Sequence, residues 1–559
     1  MARRLFNLLH KEVGGLHEAA YLLGFFALLS QVLALVRDRL FAYHFGAGHT
    51  LDVYYAAFRI PDFIFVSVAS LVSVSVLVPY LIEKIDRDHA EGKRFIDSVF
   101  GVFFLLITAS SIIVFFLVPV LIPLFLPGFA HDPMLKDLVT LTRILLLSPI
   151  LLGISNFLAS ITQAYNRFFI YAVSPLLYNL GIIIGIVGLY PYFGLPGLGF
   201  GVVLGAFLHL IVQVPFVVHK KLLPRFAFTM SLTSVLPVFI HSLPRTLALS
   251  ANQIATFFLV ALASLQSAGS ISVFNFAFNL QSVPLAIIGV SYSSAAFPTL
   301  SRLFQSGERQ KFIEQVVIAA KHIIFWSVPV VVLFIVLRAQ IVRTILGSGS
   351  FSWTDTRLTA AALALFTISV SAQSLVMLFV RAYYSSGNTK KPLIINVSSS
   401  VIIVVLGYLL LILFERAPIF HYFIEALLKV PDVPGSMVLV LPLAYSVGVF
   451  VNAVFHWYIF QKEFTSFSAP VLQSFFQSLS ASVIMGYVAY LGLNFFDDVF
   501  DLNTLPGIFM QGFCAGVLGI IAGVIVLKLL KNKELDEVWK TLHRKIWRVK
   551  VIGPEQGTL

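Results

Sequence analysis

The sequence predicts an all-α polytopic membrane protein of about fourteen transmembrane helices, two six-helix repeats followed by two C-terminal helices. Three observations predict it. Of 559 residues, 58% are hydrophobic and only 11% charged, too little polarity to clothe a soluble domain. Stretches of the roughly 20 apolar residues that a spanning helix needs recur from Ala19 to Leu530. Segments of the first half also return in the second at a nearly fixed distance.

In chain order, the apolar segments centre on Leu28, Val68, Ile113, Leu152, Ile182 and Leu208, then on Leu249, Ile287, Val330, Ser369, Val404 and Gly448, and finally on Ala481 and Gly516. An even number puts both termini on one side. Lys and Arg stay on the cytoplasmic face of short loops. They fall at Arg3, Arg4 and Lys11, then in alternate loops at Lys84, Arg87, Lys93 and Arg94, at Lys220, Lys221 and Arg225, at Arg302, Arg309 and Lys311, and at Lys390 and Lys391. Both termini are therefore expected in the cytoplasm. This asymmetry and the basic tail account for the net charge of +12 without nucleic acid. The first segment is too long for a cleaved signal and is expected to remain a helix. The single cysteine, Cys514, allows no internal disulfide and no cysteine metal site.

The repeat is specific. Leu51-Asp-Val-Tyr-Tyr-Ala-Ala-Phe-Arg59 lines up with Ile271-Ser-Val-Phe-Asn-Phe-Ala-Phe-Asn279, Lys93 to Val99 with Gln310 to Val316, Gln163-Ala-Tyr165 with Arg381-Ala-Tyr383, and Ser174 to Asn179 with Lys391 to Asn396, all at offsets of 217 to 220. Six helices per copy is even, so the copies share one orientation about an axis along the membrane normal, as in transporters. The expected divisions are a cytoplasmic N-terminus (1–18), an N-lobe of helices one to six (19–225), a C-lobe of helices seven to twelve (226–462), helices thirteen and fourteen (463–530) and a basic cytoplasmic tail (531–559).

Ionisable residues inside apolar helices are costly unless they pair or line a wet cavity. Here they are Arg37, Asp38 and Arg39, then Asp52, Arg59 and Asp62, then Arg143, Arg245, Lys321 with His322, and Arg381. Arg39, Lys321 and Arg381 can snorkel to an interface, and Arg37 has Asp52 as a possible partner. Pro244-Arg245 falls near mid-depth of helix seven, with His241 one turn before and Asn252 and Gln253 two turns after, a pattern that favours a hydrated face.

Ser30-Gln-Val-Leu-Ala-Leu-Val-Arg-Asp-Arg-Leu40, Phe45-Gly-Ala-Gly48, Asp52, Ala57-Phe-Arg-Ile-Pro61 and Val78-Pro79 resemble the amino-terminal signature of the lipid II flippases (MurJ, MviN). The likeness extends to Gln163-Ala-Tyr-Asn-Arg167 and to Pro284, Gly289 and Pro298, so it covers most of the chain. It implies the multidrug/oligosaccharidyl-lipid/polysaccharide exporter fold, with two lobes around a V-shaped cationic cavity in the bacterial cytoplasmic membrane. It also implies transport of a lipid-linked peptidoglycan precursor from the inner to the outer leaflet. Arginine suits such a substrate, because it binds phosphate oxygens bidentately and stays protonated when partly desolvated. The substrate-binding residues so expected are Ser30, Gln31, Arg37, Asp38, Asp52, Arg59, Arg245 and Asn279. The partners expected are a polyprenyl-pyrophosphate-linked glycan and membrane lipids, with the protein a monomer and no cofactor.

Against the family pattern, Gln31 stands for an arginine, Ala34 for a glycine, Phe65-Val66 for a basic pair, Ser70 for an acidic residue and Asn279 for an arginine. Two explanations follow. Arg245, with Arg143, replaces the lost cations, or the substrate is another lipid-linked glycan or an amphipathic small molecule. A transport-inactive membrane scaffold is a third reading, drawn from the basic tail with Trp539, Leu542, Ile546 and Trp547 at helical spacing. Asn388 and Asn396 make a weak cation site, so no coupling ion is expected. The chain has no Walker A, His-Glu-x-x-His or paired-cysteine motif, and no enzyme is expected. Gly197-Leu-Gly-Phe-Gly201 reads as close helix packing.

Overall fold

A computed structural model describes residues 16–69, 74–165, 167–226, 232–431 and 433–547. Ser70 and the ends of the chain lie outside these residues, as do the side chains of His241, Arg245, Leu542, Ile546 and Trp547. Every regular element among the described residues is helical. They are α1 (Leu16–Phe45), α2 (His49–Ala57), α3 (Arg59–Ile64), α4 (Val74–Arg87), α5 (His89–Phe125), α6 (Leu135–Ala164), α7 (Phe168–Phe193), α8 (Leu195–His219) and α9 (Leu232–Ser264). The second half runs through α10 (Ser270–Gln305), α11 (Arg309–Val336), α12 (Arg338–Leu346), α13 (Trp353–Ser385), α14 (Lys390–Arg416), α15 (Pro418–Leu428) and α16 (Ser436–Glu463). It ends in α17 (Ser468–Asp497), α18 (Leu505–Leu529) and α19 (Lys533–Trp547).

Eleven helices among the described residues are long and apolar enough to cross a membrane. They match the third to sixth and the eighth to fourteenth expected spans. The other three expected spans fall on α1, on α2 to α4 and on α9, which contributes only the shorter apolar stretch Ser250–Ser264. In α5, Ile113, Phe116, Val120 and Leu124 are 59 to 70% exposed by the protein itself, the surface a helix presents to lipid.

The repeat is visible in the backbone. α5 begins at His89 and α11 at Arg309, and π-helical turns fall at Phe65–Ala69 in the first copy and Leu285–Val290 in the second. A third π-turn, Gly185–Leu189, lies within α7. Pro284 stands directly before such a turn and Pro61 four residues before one, where backbone bonding is already loosened.

Two compact units divide the chain. One comprises residues 1–283, 342–366 and 388–452; the other comprises 284–341, 367–387 and 453–559. In the first, α7 and α8 meet backbone to backbone. A Cβ placed on Gly201 would stand 2.3 Å from the Gly185 Cα, so only glycine fits that crossing.

In the second unit, a core of Phe312, Ile323, Phe379, Tyr383, Phe460 and Phe467 joins α10, α11, α13, α16 and α17. α17 and α18 pack through Gly519 and Gly523 against Met485. α19 docks on α11: Lys321 Nζ lies 3.3 Å from the buried Glu534 carboxylate, and His322 Nε2 lies 3.1 Å from Glu537 Oε2. Lys321 therefore pairs within the protein, although its side chain is long enough to snorkel. Leu535 and Val538 pack against Phe325, Ala481 and Leu527. Asn532 caps α19 by accepting from the Leu535 amide at 3.0 Å, while Trp539 faces outward.

Candidate functional site

The first repeat's signature residues meet the second repeat within the first unit. Ser30 and Arg37 lie seven residues apart on one face of α1, where Asn179 of α7 bridges them. Asn179 Nδ2 donates to Ser30 Oγ at 3.4 Å, and its Oδ1 accepts from Arg37 Nη1 at 2.9 Å. Arg37 Nε and Nη2 both donate to Asp38 Oδ1, at 2.9 and 2.7 Å. Asp38 is 2% exposed, and its other oxygen accepts from Asn279 Nδ2 of α10 at 3.1 Å. A carboxylate this buried persists only when neutralised and hydrogen-bonded. Arg37 thus pairs with its chain neighbour and not with Asp52. Gln31, half-buried, stands outside this network.

Asp52, on α2, caps α10. Its Oδ2 accepts from the Gly269 amide at 2.6 Å, and its Oδ1 accepts from the Ser272 amide at 2.7 Å and the Ser272 hydroxyl at 2.6 Å. A helix N-terminus leaves its first amides unpaired and carries positive potential, so a carboxylate belongs there. Gly269 holds φ +92°, and a Cβ on it would fall 2.1 Å from the Ala47 carbonyl oxygen. Nearby, Arg39 Nη1 donates to the carbonyls of Thr344 and Ile345 at the end of α12, and the Ser350 amide donates to the Tyr43 carbonyl at 2.9 Å. Arg39 therefore ties the two repeats, although its side chain is long enough to snorkel. Asp52, Arg39 and these loops close the α1–α2 end of the unit by direct bonds.

Arg59, on α3 and 7% exposed, donates from Nη2 to Asn275 Oδ1 at 2.5 Å, while its Nε has no partner among the described residues. It lines a cavity of about 400 Å³ shared by α1, the α2–α3 segment, α7, α9 and α10. Arg37, Asp62, Asn279, Asn252 and Gln253 also face this cavity, with Tyr54, Tyr55, Tyr178 and Phe278 as its aromatic walls. Of the expected site residues, Arg37, Arg59 and Asn279 line it. Ser30 and Asp38 support Arg37, and Asp52 belongs to the closed end. Arg245 lies on α9, seven residues before Asn252. Arg143 lies elsewhere: Nε donates to the Phe115 carbonyl at 3.1 Å and its guanidinium covers the Phe115 ring.

Sequence reading did not single out Asn179, Asn275, Ser272 or Gly269 as members of this site. The repeat alignment holds the signal for two of them, since Ser272 and Asn275 answer to Asp52 and Tyr55. Of the asparagines considered for a cation, Asn396 bonds to Asn452 and Asn388 accepts from the Lys391 amide.

A family model described as lipid II flippase MurJ matches residues 41–510. A probable lipid II flippase MurJ of Buchnera aphidicola subsp. Schizaphis graminum is 25% identical over 513 residues, 89% of this chain and 94% of that protein. That of Aquifex aeolicus is 28% identical over 382 residues, 67% of this chain and 74% of its own length. Among solved structures, a lipid II flippase MurJ in an inward closed conformation superposes with a TM-score of 0.71 at 23% identity, covering 94% of this chain and all 100% of that one. An inward-facing multidrug resistance MATE family transporter of the MOP superfamily gives a TM-score of 0.62 at 15% identity, over 78% and 95% of the two chains. The match over residues 41–510, most of the chain, leads to one conclusion: this multi-pass membrane protein belongs to the lipid II flippase MurJ family.

Proposed function

We propose that the chain carries a lipid II-like, polyprenyl-pyrophosphate-linked glycan from the inner to the outer leaflet of the bacterial cytoplasmic membrane, with both termini in the cytoplasm. The observation that carries this reading is a polar cavity, walled by both repeats and lined by Arg37 and Arg59, in a chain matching the flippase family over residues 41–510. A sugar head group needs such a wet path, while its polyprenyl tail stays in lipid. The N-lobe (19–225) and C-lobe (226–462) rock about the site, opening it to each leaflet in turn. An inside-negative potential assists outward movement of an anion by about 2.3 kcal/mol per charge per 100 mV.

The test is protein-dependent appearance of labelled lipid II in the outer leaflet of liposomes. Wild type accelerates it, Arg245→Ala abolishes it and Arg245→Lys restores it in part. Wild-type protein of proven fold that leaves lipid II in place overturns the assignment. Normal transport by Arg245→Ala removes Arg245 as the replacement for the missing family cations.

A further inference from the structure

We infer that α15 (Pro418–Leu428) is a membrane-seated helix: its outward apolar stripe lies against lipid in the interfacial region of the bilayer, on the side where α14 ends. In the orientation proposed above this is the outer leaflet. The inference needs the membrane-spanning fold and not the identity of the cargo.

The helix divides its residues by face. Ile419, Tyr422, Phe423 and Leu427 are 58 to 87% exposed, and Ala426 among them is exposed as well. At about 3.6 residues per turn these positions make one stripe roughly 140° wide, on which the Tyr422 hydroxyl is the only polar side-chain group. The helix's ionisable residues, His421 and Glu425, fall on the other side, where the protein holds them. Ile424 and Leu428 are buried there, and the buried Glu425 accepts from Ser436 Oγ at 2.5 Å and lies 3.0 Å from His421 Nε2. The Phe414 ring of α14 stands 4.3 Å from the His421 ring, and Arg357 Nη2 donates to the Lys429 carbonyl at 2.9 Å. With its inward face fixed by these contacts, the stripe cannot turn into the protein.

What covers the stripe follows from what adjoins it. Ala417 alone separates α14 from α15, so α15 begins at the depth where a membrane-spanning helix leaves the bilayer. Along α14, Val401, Val405, Tyr408, Leu409 and Leu413 form an exposed apolar face that runs up to α15. At that end of the same unit Tyr43, Tyr192 and Trp353 are exposed, the ring types that gather at membrane interfaces. A contiguous apolar patch facing water is a liability. An amphipathic helix with Phe and Leu on its apolar side instead lies in the interface plane, and Tyr422 suits that depth, ring toward the acyl chains and hydroxyl toward the head groups. The seat also reaches the closed end of the unit. A Cβ on Gly435, in the loop after α15, would stand 2.7 Å from Ser267 Oγ, which lies 3.3 Å from Ser270 Oγ at the start of α10. α15 thereby holds the Asp52-capped end of α10 at the membrane surface.

The experiment is spin labelling of the full chain in vesicles of phosphatidylcholine and phosphatidylglycerol. Cys514 is the chain's one cysteine, so Cys514→Ala gives a cysteine-free background. Ile419→Cys, Phe423→Cys and Leu427→Cys each carry a nitroxide on the stripe, with Leu409→Cys on the lipid face of α14 and Asp498→Cys in the α17–α18 loop as the lipid and water references. Oxygen concentrates among acyl chains and a nickel chelate stays in water, so the ratio of their effects on the label reports depth. At all three stripe positions the oxygen-to-nickel ratio should be several-fold above that of Asp498→Cys and below that of Leu409→Cys. Every substituted side chain is exposed, and melting temperature checks that each variant folds. Stripe labels as open to nickel as Asp498→Cys put the stripe in water and overturn the seat. Labels shielded from both reagents place a second copy of the chain or another protein on the stripe and overturn it equally. As a measure without a label, Tyr422→Trp should add fluorescence that phosphatidylcholine brominated high on its acyl chains quenches; added emission that stays unquenched overturns the seat. None of these outcomes bears on the cargo, which the lipid II assay tests by itself.

Discussion

Asp52 accepts a hydrogen bond at 2.6 Å from the hydroxyl of Ser272, the residue 220 positions later that fills the same place in the second repeat. Two equivalent positions have diverged into acceptor and donor and now hold each other. The carboxylate also takes the backbone amides of Gly269 and Ser272, so one side chain secures the start of α10.

Asp52→Ala therefore strands the buried Gly269 and Ser272 amides and leaves the Ser272 hydroxyl the Gly48 carbonyl at 3.4 Å, at about 1–3 kcal/mol for the worse placed amide. Ser272→Ala removes one bond and leaves both backbone amides paired, at about 1 kcal/mol. Thermal unfolding in detergent should rank wild type above Ser272→Ala and Ser272→Ala above Asp52→Ala. The reverse order for the two variants would show that the carboxylate does not secure the closure.

Arg37→Ala leaves Asp38 buried with only Asn279 as partner among the described residues, and breaking a buried ion pair from one side costs about 3–5 kcal/mol. Arg37→Ala/Asp38→Asn should recover much of that loss, because the stranded charge is gone. Folded yield and melting temperature of the two variants decide it; if the double variant is no better than the single one, Asp38 is not the charge that Arg37 neutralises.

Gly201→Ala should destabilise by about 1–3 kcal/mol through overpacking, since α7 leaves no room for a methyl group. Gly24→Ala on α1 meets nothing within 4 Å and should be neutral. Equal melting temperatures for the two variants would contradict the close crossing of α7 and α8.

The docking of α19 rests on a buried acid. Glu534→Lys should repel Lys321 and free α19 for proteolysis, and Lys321→Glu/Glu534→Lys should restore protection by reversing the pair. Limited trypsin digestion, read at the tail, measures both. Cleavage of the swapped protein as fast as of Glu534→Lys would place the anchor in the apolar contacts of Leu535 and Val538 instead.

Much of this was legible in the residues. A bilayer tolerates only backbones that satisfy their own hydrogen bonds, so long apolar runs have one structural outcome. The matched segments at 51–59 and 271–279 then announced the repeat that the paired π-turns display. Arg37 and Arg59 were legible as candidates because charged groups in apolar helices are expensive, and Asn279 because it stands where the resemblance expects an arginine; all three line the cavity. Asn179 was not, since an asparagine in α7 carries no mark of the arginine it will meet, 142 residues away in sequence. The Gly269 amide could not be read either, because every residue but proline has one. For Arg37, Asp52 was the long-range partner that the sequence offered. The fold chose Asp38, within direct reach, and sent Asp52 to a helix start where three donors converge.

By itself, the sequence determined that this is a polytopic helical membrane protein, built twice over and bearing the flippase signature, because hydropathy and repetition are properties of the chain alone. Only the tertiary structure decided that Arg37 is matched by Asp38, that Asp52 closes one end by capping α10, and that amides and tyrosines line the cavity. The physical reason is distance: in a low-dielectric interior, a charge counts as free or cancelled according to what lies within a few ångströms of it, and a sequence lists charges without their separations.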